Sequence, residues 1–150
     1  MKKTTLFLCL ILALTLSLTA QNVDKEKEAI KKVIQTAYVE GIQNEGDPDK
    51  IDSGIHPEFN LLIVENGNGL QKYSITEWKK KVVKKRENGE LPPTPEKMVT
   101  VKFLSIDITG TAAVAKIEFY IGDKLTYIDY ISLYKFEDGW KMVNKIYYKF

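Results

Sequence analysis

Hydrophobic spacing changes character three times along this chain. Leu6 to Leu18 is an apolar run without a charge. From Asp24 to Asn44 the apolar residues Ile30, Val33, Ile34, Ala37, Tyr38 and Ile42 recur at three- and four-residue intervals. That spacing predicts one long helix with a single apolar face. Gly46 and Asp47-Pro48 end it, and Pro48 is placed to open a short second helix through Ile51. Ile55 to Phe59 reads as a turn into a strand running to Glu65. Asn66-Gly67-Asn68-Gly69 is a tight-turn signal, because these residues tolerate positive φ, and Leu70 to Tyr73 would return as a second strand. Ser74 and Glu77 have capping-box spacing ahead of a helix carrying Trp78 and Val82, which Asn88-Gly89 closes. The prolines at 92, 93 and 95 make Glu90 to Glu96 an extended loop with no helix in it.

Beyond that loop the period is two. Met98 to Thr109, Ala112 to Ile121, Leu125 to Phe136 and Trp140 to Phe150 each read as a strand. Gly110-Thr111, Gly122-Asp123 and Asp138-Gly139 are the turns between them, and Ala113, Ala115, Ile117, Phe119 and Ile121 share one face. Helices first and long strands last indicate an α+β fold, an antiparallel sheet covered on one face by helices.

Composition adds a compartment. Lys2 and Lys3, the apolar run and Ala20 have the three-part pattern of a cleaved export signal over residues 1–20, leaving one domain over residues 21–150 that begins at Gln21. The run is short for a membrane span and DKEKE follows soon after it, so a secreted or periplasmic bacterial protein is expected, free of the membrane after cleavage. The one cysteine, Cys9, lies inside the signal, which removes disulfides, thiol catalysis and cysteine-based zinc sites from the mature chain. Loss of Lys2 and Lys3 lowers the basic count from 22 to 20, equal to the 20 acidic residues. KKKVVKKR from Lys79 to Arg86 is then the solvated face of an amphipathic helix, with no nucleic-acid partner expected.

His56-Pro57-Glu58-Phe59, FLSIDITGTAAVAKIEF from Phe103, Asp129-Tyr130-Ile131-Ser132-Leu133 and DGWKMVNKI from Asp138 together resemble the nuclear transport factor 2-like superfamily, which includes ketosteroid isomerase and SnoaL-type cyclases. The nearer resemblance is to its lumazine-binding branch. It implies a cone-shaped fold, a curved antiparallel sheet wrapped on the N-terminal helices around a pocket. It also implies a pteridine-like ligand and a homodimer formed through the outer face of the sheet.

His56 is the only histidine, a candidate base or ligand, or else an imidazole bonded to backbone where helix hands over to strand. Asp129 shares a strand face with Tyr127 and Ile131, where a carboxylate is costly to bury without a partner. Lys145 and Asn144 are the candidate partners, and the length of the Asp138-Gly139 hairpin loop is expected to choose between them. Tyr38, Trp78, Tyr127, Tyr130, Tyr134 and Trp140 supply aromatic surface for a flat heterocycle, while Tyr147, Tyr148 and Phe150 would cover a pocket mouth or a dimer interface. Glu65 and Glu118 read as solvated. Phosphate loops, nucleophile elbows, zinc motifs and paired catalytic carboxylates are missing from the sequence.

The expected function is therefore an exported, non-catalytic module that binds a small heterocyclic or hydrophobic ligand, without cofactor or metal. Its ligand residues are expected to be Tyr38, His56, Trp78, Tyr127, Asp129, Asn144 and Lys145. The alternatives are an isomerase, dehydratase or cyclase using Asp129 and His56, and a dimeric interaction module.

Overall fold

The first helix, α1, does not keep one winding. In the computed structural model, which describes residues 22–65 and 67–150, α1 is α-helical over 22–33 and wound in the wider π register over Ile34–Glu45. The expected export signal with Cys9, the expected N-terminus Gln21, and Asn66 lie outside the described residues. A π turn brings residues five apart onto one face. Ile34, Val39 and Asn44 are accordingly all buried, alongside Ala37 and Ile42. Gly46 ends the helix in the left-handed region, at φ 61°, where a Cβ would stand 2.6 Å from the Val82 carbonyl oxygen.

Helix α2 (Pro48–Gly54) starts on Asp47, whose carboxylate accepts from the amides of Asp49 and Lys50. Helix α3 (Ile75–Glu87) starts on the expected box, with Ser74 and Glu77 satisfying each other's backbone amides. It turns Val82 and Trp78 inward and its lysines outward. The strands are β1 (Ile55–Glu65), β2 (Gly69–Ser74), β3 (Val99–Thr109), β4 (Ala112–Ile121), β5 (Lys124–Phe136) and β6 (Gly139–Lys149). They form one sheet in the order β2-β1-β6-β5-β4-β3. Its inner face packs on α1 through Phe59, Ala115, Ile117, Ile131, Leu133 and Met142, all essentially buried. Each such large apolar side chain contributes about 1.5–3 kcal/mol of burial.

Four expectations need correction. The sheet is mixed, because β1 lies parallel to β6 while every other pairing is antiparallel. Period-two spacing marks a strand without giving its direction, which follows from where the preceding helices deliver the chain. Ile55 to Phe59 already belongs to β1 and is no turn. The proline loop ends in one turn of 3₁₀ helix, Pro95–Lys97, since proline suits the first position of a helical turn. Ile121, at the end of β4, is exposed and leaves the buried face of Ala113, Ala115, Ile117 and Phe119.

Candidate functional site

Alternation along β5 aims Tyr127, Asp129, Ile131 and Leu133 at the concave side of the sheet. The β5–β6 loop has two residues, with Phe136 opposite Gly139 and Leu133 opposite Met142. Continued unbroken, that register would bring Asn144 level with Ile131. It is broken: Ser132 faces Asn144, so Val143 is an extra residue on β6, a bulge. Beyond the bulge Lys145 faces Ile131 and Tyr147 faces Asp129, on the concave side. Lys145 Nζ donates to Asp129 Oδ1 at 2.7 Å, and the Tyr38 hydroxyl donates to Asp129 Oδ2 at 2.8 Å.

All three side chains are buried, with Asp129 at 0% exposure, Tyr38 at 2% and Lys145 at 4%. Burial, with the adjacent Asp129 charge, holds the Tyr38 phenol well above its ordinary value, so it remains a donor. Burial pushes the Lys145 ammonium down and the Asp129 carboxylate opposes that shift. The ammonium also lies over two ring faces, 5.2 Å from the centre of Tyr38 and 4.9 Å from that of Tyr147. Two rings and a carboxylate all favour its charged form.

Above this group is a cavity of about 170 Å³. Of the candidate ligand residues, Tyr38, Trp78, Tyr127 and Lys145 line it, together with Phe119, Tyr147, Leu61 and Gln43. Its rings meet mostly at steep angles. Tyr38 and Trp78 lie 6.0 Å apart at 71°, Phe119 and Tyr127 5.4 Å apart at 75°, and Tyr127 and Tyr147 5.3 Å apart at 83°. Asp129 forms the base of the site, behind Lys145.

The other expected residues lie elsewhere. Asn144 is on the convex side, donating to the Asn60 carbonyl at 3.1 Å. Tyr130 and Tyr134 alternate onto that outer face and are exposed. Trp140 is buried at the opposite end of β5, where its indole N–H donates to Glu26 Oε2 at 2.7 Å. Tyr148 and Phe150 are exposed against each other, leaving Tyr147 as the terminal aromatic that reaches the cavity. Glu118 is mostly covered and accepts from the Tyr120 hydroxyl at 2.8 Å, whereas Glu65 is exposed.

His56 belongs to a separate surface groove of about 520 Å³, whose walls include Asp52, Ile75, Lys79, Phe136 and Lys141. Its Nδ1 accepts from the Glu58 amide at 3.1 Å, and its ring stacks on Phe136 at 4.9 Å and 17°. The imidazole thus bonds backbone at the α2–β1 junction. Phe136 is seven residues along β5 from Asp129, roughly 20 Å at strand spacing. The two candidate catalytic groups are not assembled. Asp129 itself has both oxygens engaged by donors, which leaves it a positioning anion. Among the described residues no group of three or more His, Cys, Asp or Glu side chains could hold a metal ion.

One buried polar residue went unanticipated. The Asn44 carboxamide bonds the backbone of Val99 twice, accepting from its N–H and donating to its C=O at 2.9 Å each, and so ties α1 to the first residue of β3.

No curated protein matches this chain. Solved structures with the same fold include a nuclear transport factor 2-like protein of unknown function from Shewanella baltica. It is 25% identical, with a TM-score of 0.63, over 84% of this chain and 94% of that one. Another, from Silicibacter pomeroyi, is 16% identical with a TM-score of 0.66, over 85% and 98%. A third, a putative dehydratase from Streptomyces avermitilis, is 14% identical with a TM-score of 0.56, over 85% and 97%. The family model described as "Putative lumazine-binding" matches residues 25–148, which reaches into every strand. The chain therefore belongs to the putative lumazine-binding family, on the nuclear transport factor 2-like fold.

Proposed function

We propose that this chain is an exported, non-catalytic module that takes one small flat ring in its aromatic cavity. The observation that carries the reading is a cavity lined by five aromatic residues, Tyr38, Trp78, Phe119, Tyr127 and Tyr147, together with one buried ammonium, that of Lys145. Aromatic walls with a few converging polar groups are what a flat heterocycle requires. The volume is a little above the ~150 Å³ of an apolar cavity that takes one benzene ring, and the open side leaves room for a second, fused ring. The family's name supports a heterocycle of pteridine type. Binding is favoured over isomerase, dehydratase or cyclase chemistry because Asp129 is fully buried behind its two donors and does not line the cavity, and His56 lies in another groove. Export rests on the three-part pattern of residues 1–20, with 21–150 as the working domain.

Trp78 lines the cavity and Trp140 does not, so a Trp140→Phe protein reports on the cavity through its remaining indole. Titration with lumazine, flavin and steroid-like heterocycles should quench that indole and raise the melting temperature for at least one of them. Absence of both effects with every compound would refute the reading.

The same module is proposed to pair with a second copy. Val114, Tyr130, Tyr134, Ile146 and Tyr148 leave apolar surface exposed on the convex face of β4, β5 and β6, 39–61% of each residue. A two-fold contact between like faces would cover it on both chains at once. Sedimentation equilibrium should give a dimer that Ile146→Glu dissociates. A wild-type monomer at high concentration would end that part of the proposal.

A further inference from the structure

The polar groups at the base of the cavity define what kind of ring it accepts. An ammonium carries three N–H donors. Among the described residues Asp129 Oδ1 is the only oxygen within hydrogen-bond reach of Lys145 Nζ. Above and beside it lie ring faces, which attract its charge without accepting in the manner of an oxygen. Lys145 therefore has donor capacity left over, and it lines the cavity. Asp129 is out of a ligand's reach, since it is fully buried behind Lys145 and Tyr38, each donating to one of its oxygens, and is not among the residues lining the cavity. The base of the site can give a hydrogen bond to a ligand oxygen and cannot take one from a ligand N–H through Asp129.

Charge narrows the choice further. Lys145 and Asp129 cancel, and the other lining residues are Tyr38, Gln43, Leu61, Trp78, Phe119, Tyr127 and Tyr147, none carrying a full charge. An entering carboxylate would leave one net negative charge at the base of the cavity, with the buried Asp129 directly behind the ammonium that receives it. A neutral carbonyl oxygen takes the same N–H without that desolvation cost.

Resting on the cavity reading above, we infer that the ligand is a neutral ring bearing a carbonyl oxygen, of lactam, imide or quinone type. It docks that oxygen on the Lys145 ammonium, and carboxylates of similar size are rejected. Asp129 and Tyr38 are positioning residues that hold the ammonium in place.

The test compares three small probes, 2-pyridone, toluene and benzoate, by NMR titration of the full domain, following the Trp78 indole N–H. The expected order places 2-pyridone at least tenfold tighter than toluene and at least tenfold tighter than benzoate. Lys145→Met combined with Asp129→Asn removes both charges together. It should lose the preference, its affinities for 2-pyridone and toluene coming within about threefold of each other. Equal binding of 2-pyridone and toluene to the wild type would overturn the inference and leave the cavity reading intact. Tighter binding of benzoate would also overturn it. If no probe moves the Trp78 signal, both readings fall together. The wild-type comparison stands by itself if the double variant does not fold.

Discussion

Replacing Lys145 with methionine keeps an unbranched side chain one atom shorter and removes its charge, which isolates the role of the buried pair. At 2.7 Å and an effective dielectric of about 20, the gross attraction between Lys145 and Asp129 is about 6 kcal/mol. Withdrawing two ions from water costs several kcal/mol each, so the intact pair is close to neutral relative to an apolar pair of the same shape. Breaking it is different, because Asp129 would remain fully buried with Tyr38 as its one remaining side-chain partner. The expected cost of Lys145→Met is about 3–5 kcal/mol. That is a large share of the 5–15 kcal/mol that holds an ordinary domain. At about 4 °C per kcal/mol for a domain of this size, the melting temperature falls by about 12–20 °C. Adding Asp129→Asn removes the stranded charge, so the double variant should be more stable than Lys145→Met alone, with a coupling of at least about 2 kcal/mol. Urea unfolding followed by far-ultraviolet circular dichroism measures all four corners of the cycle, with a constant m-value confirming a common denatured state. A loss below about 1 kcal/mol for Lys145→Met, or strictly additive costs, would refute the reasoning.

Three further outcomes follow from the packing. Asn44→Leu strands the Val99 N–H and C=O together and should cost about 2–4 kcal/mol in urea unfolding, with faster exchange of the Val99 amide. Gly54→Ala would place a methyl 2.7 Å from Ala37 Cβ and 2.9 Å from Val33 Cγ1. The helix-propensity gain of up to about 1 kcal/mol is outweighed by about 1–3 kcal/mol of overpacking, so the melting temperature should drop and Ala37→Gly should partly restore it. Glu26 is held below the ordinary glutamate value of 4.5, chiefly by its hydrogen bond from Lys135 and then by that from Trp140. Its contribution is complete above that value and fades as pH falls through the lowered folded value, so Glu26→Gln should flatten the acid limb of the stability–pH profile.

Much of the fold was legible because local signals and tertiary packing agree. Ser74 with Glu77 is a two-residue device that works without knowledge of the rest of the molecule, and the period-two runs are long enough to outlast any competing period. Legibility failed where a signal depends on winding or direction. Asn44 lies five residues from Val39 and ten from Ile34, so a 3.6-residue repeat does not put the three on one face and a π register does. The parallel β1–β6 pairing was hidden for a related reason, since alternation is the same in either direction along a strand.

The candidate site turns on one residue that carries no chemistry. The choice between Lys145 and Asn144 as partner for Asp129 was reduced to the length of a hairpin loop, and the observed two-residue loop alone would have selected Asn144. Val143 reverses that outcome by standing unpaired on β6, which moves everything after it to the opposite face. The consequence reaches both sides of the sheet. Asn144 goes outward to cap the Asn60 carbonyl, while Lys145 and Tyr147 go inward to meet Asp129 and Tyr38. Without the bulge the same sequence would bury an amide and leave the ammonium in solvent, and the cavity would lose the one strong donor it presents. A bulge has no compositional signature comparable to a turn or a cap, which is why the residue types were foreseeable and their convergence was not. The chemistry of the cavity therefore resides as much in the backbone spacing between Met142 and Asn144 as in the lysine that spacing delivers.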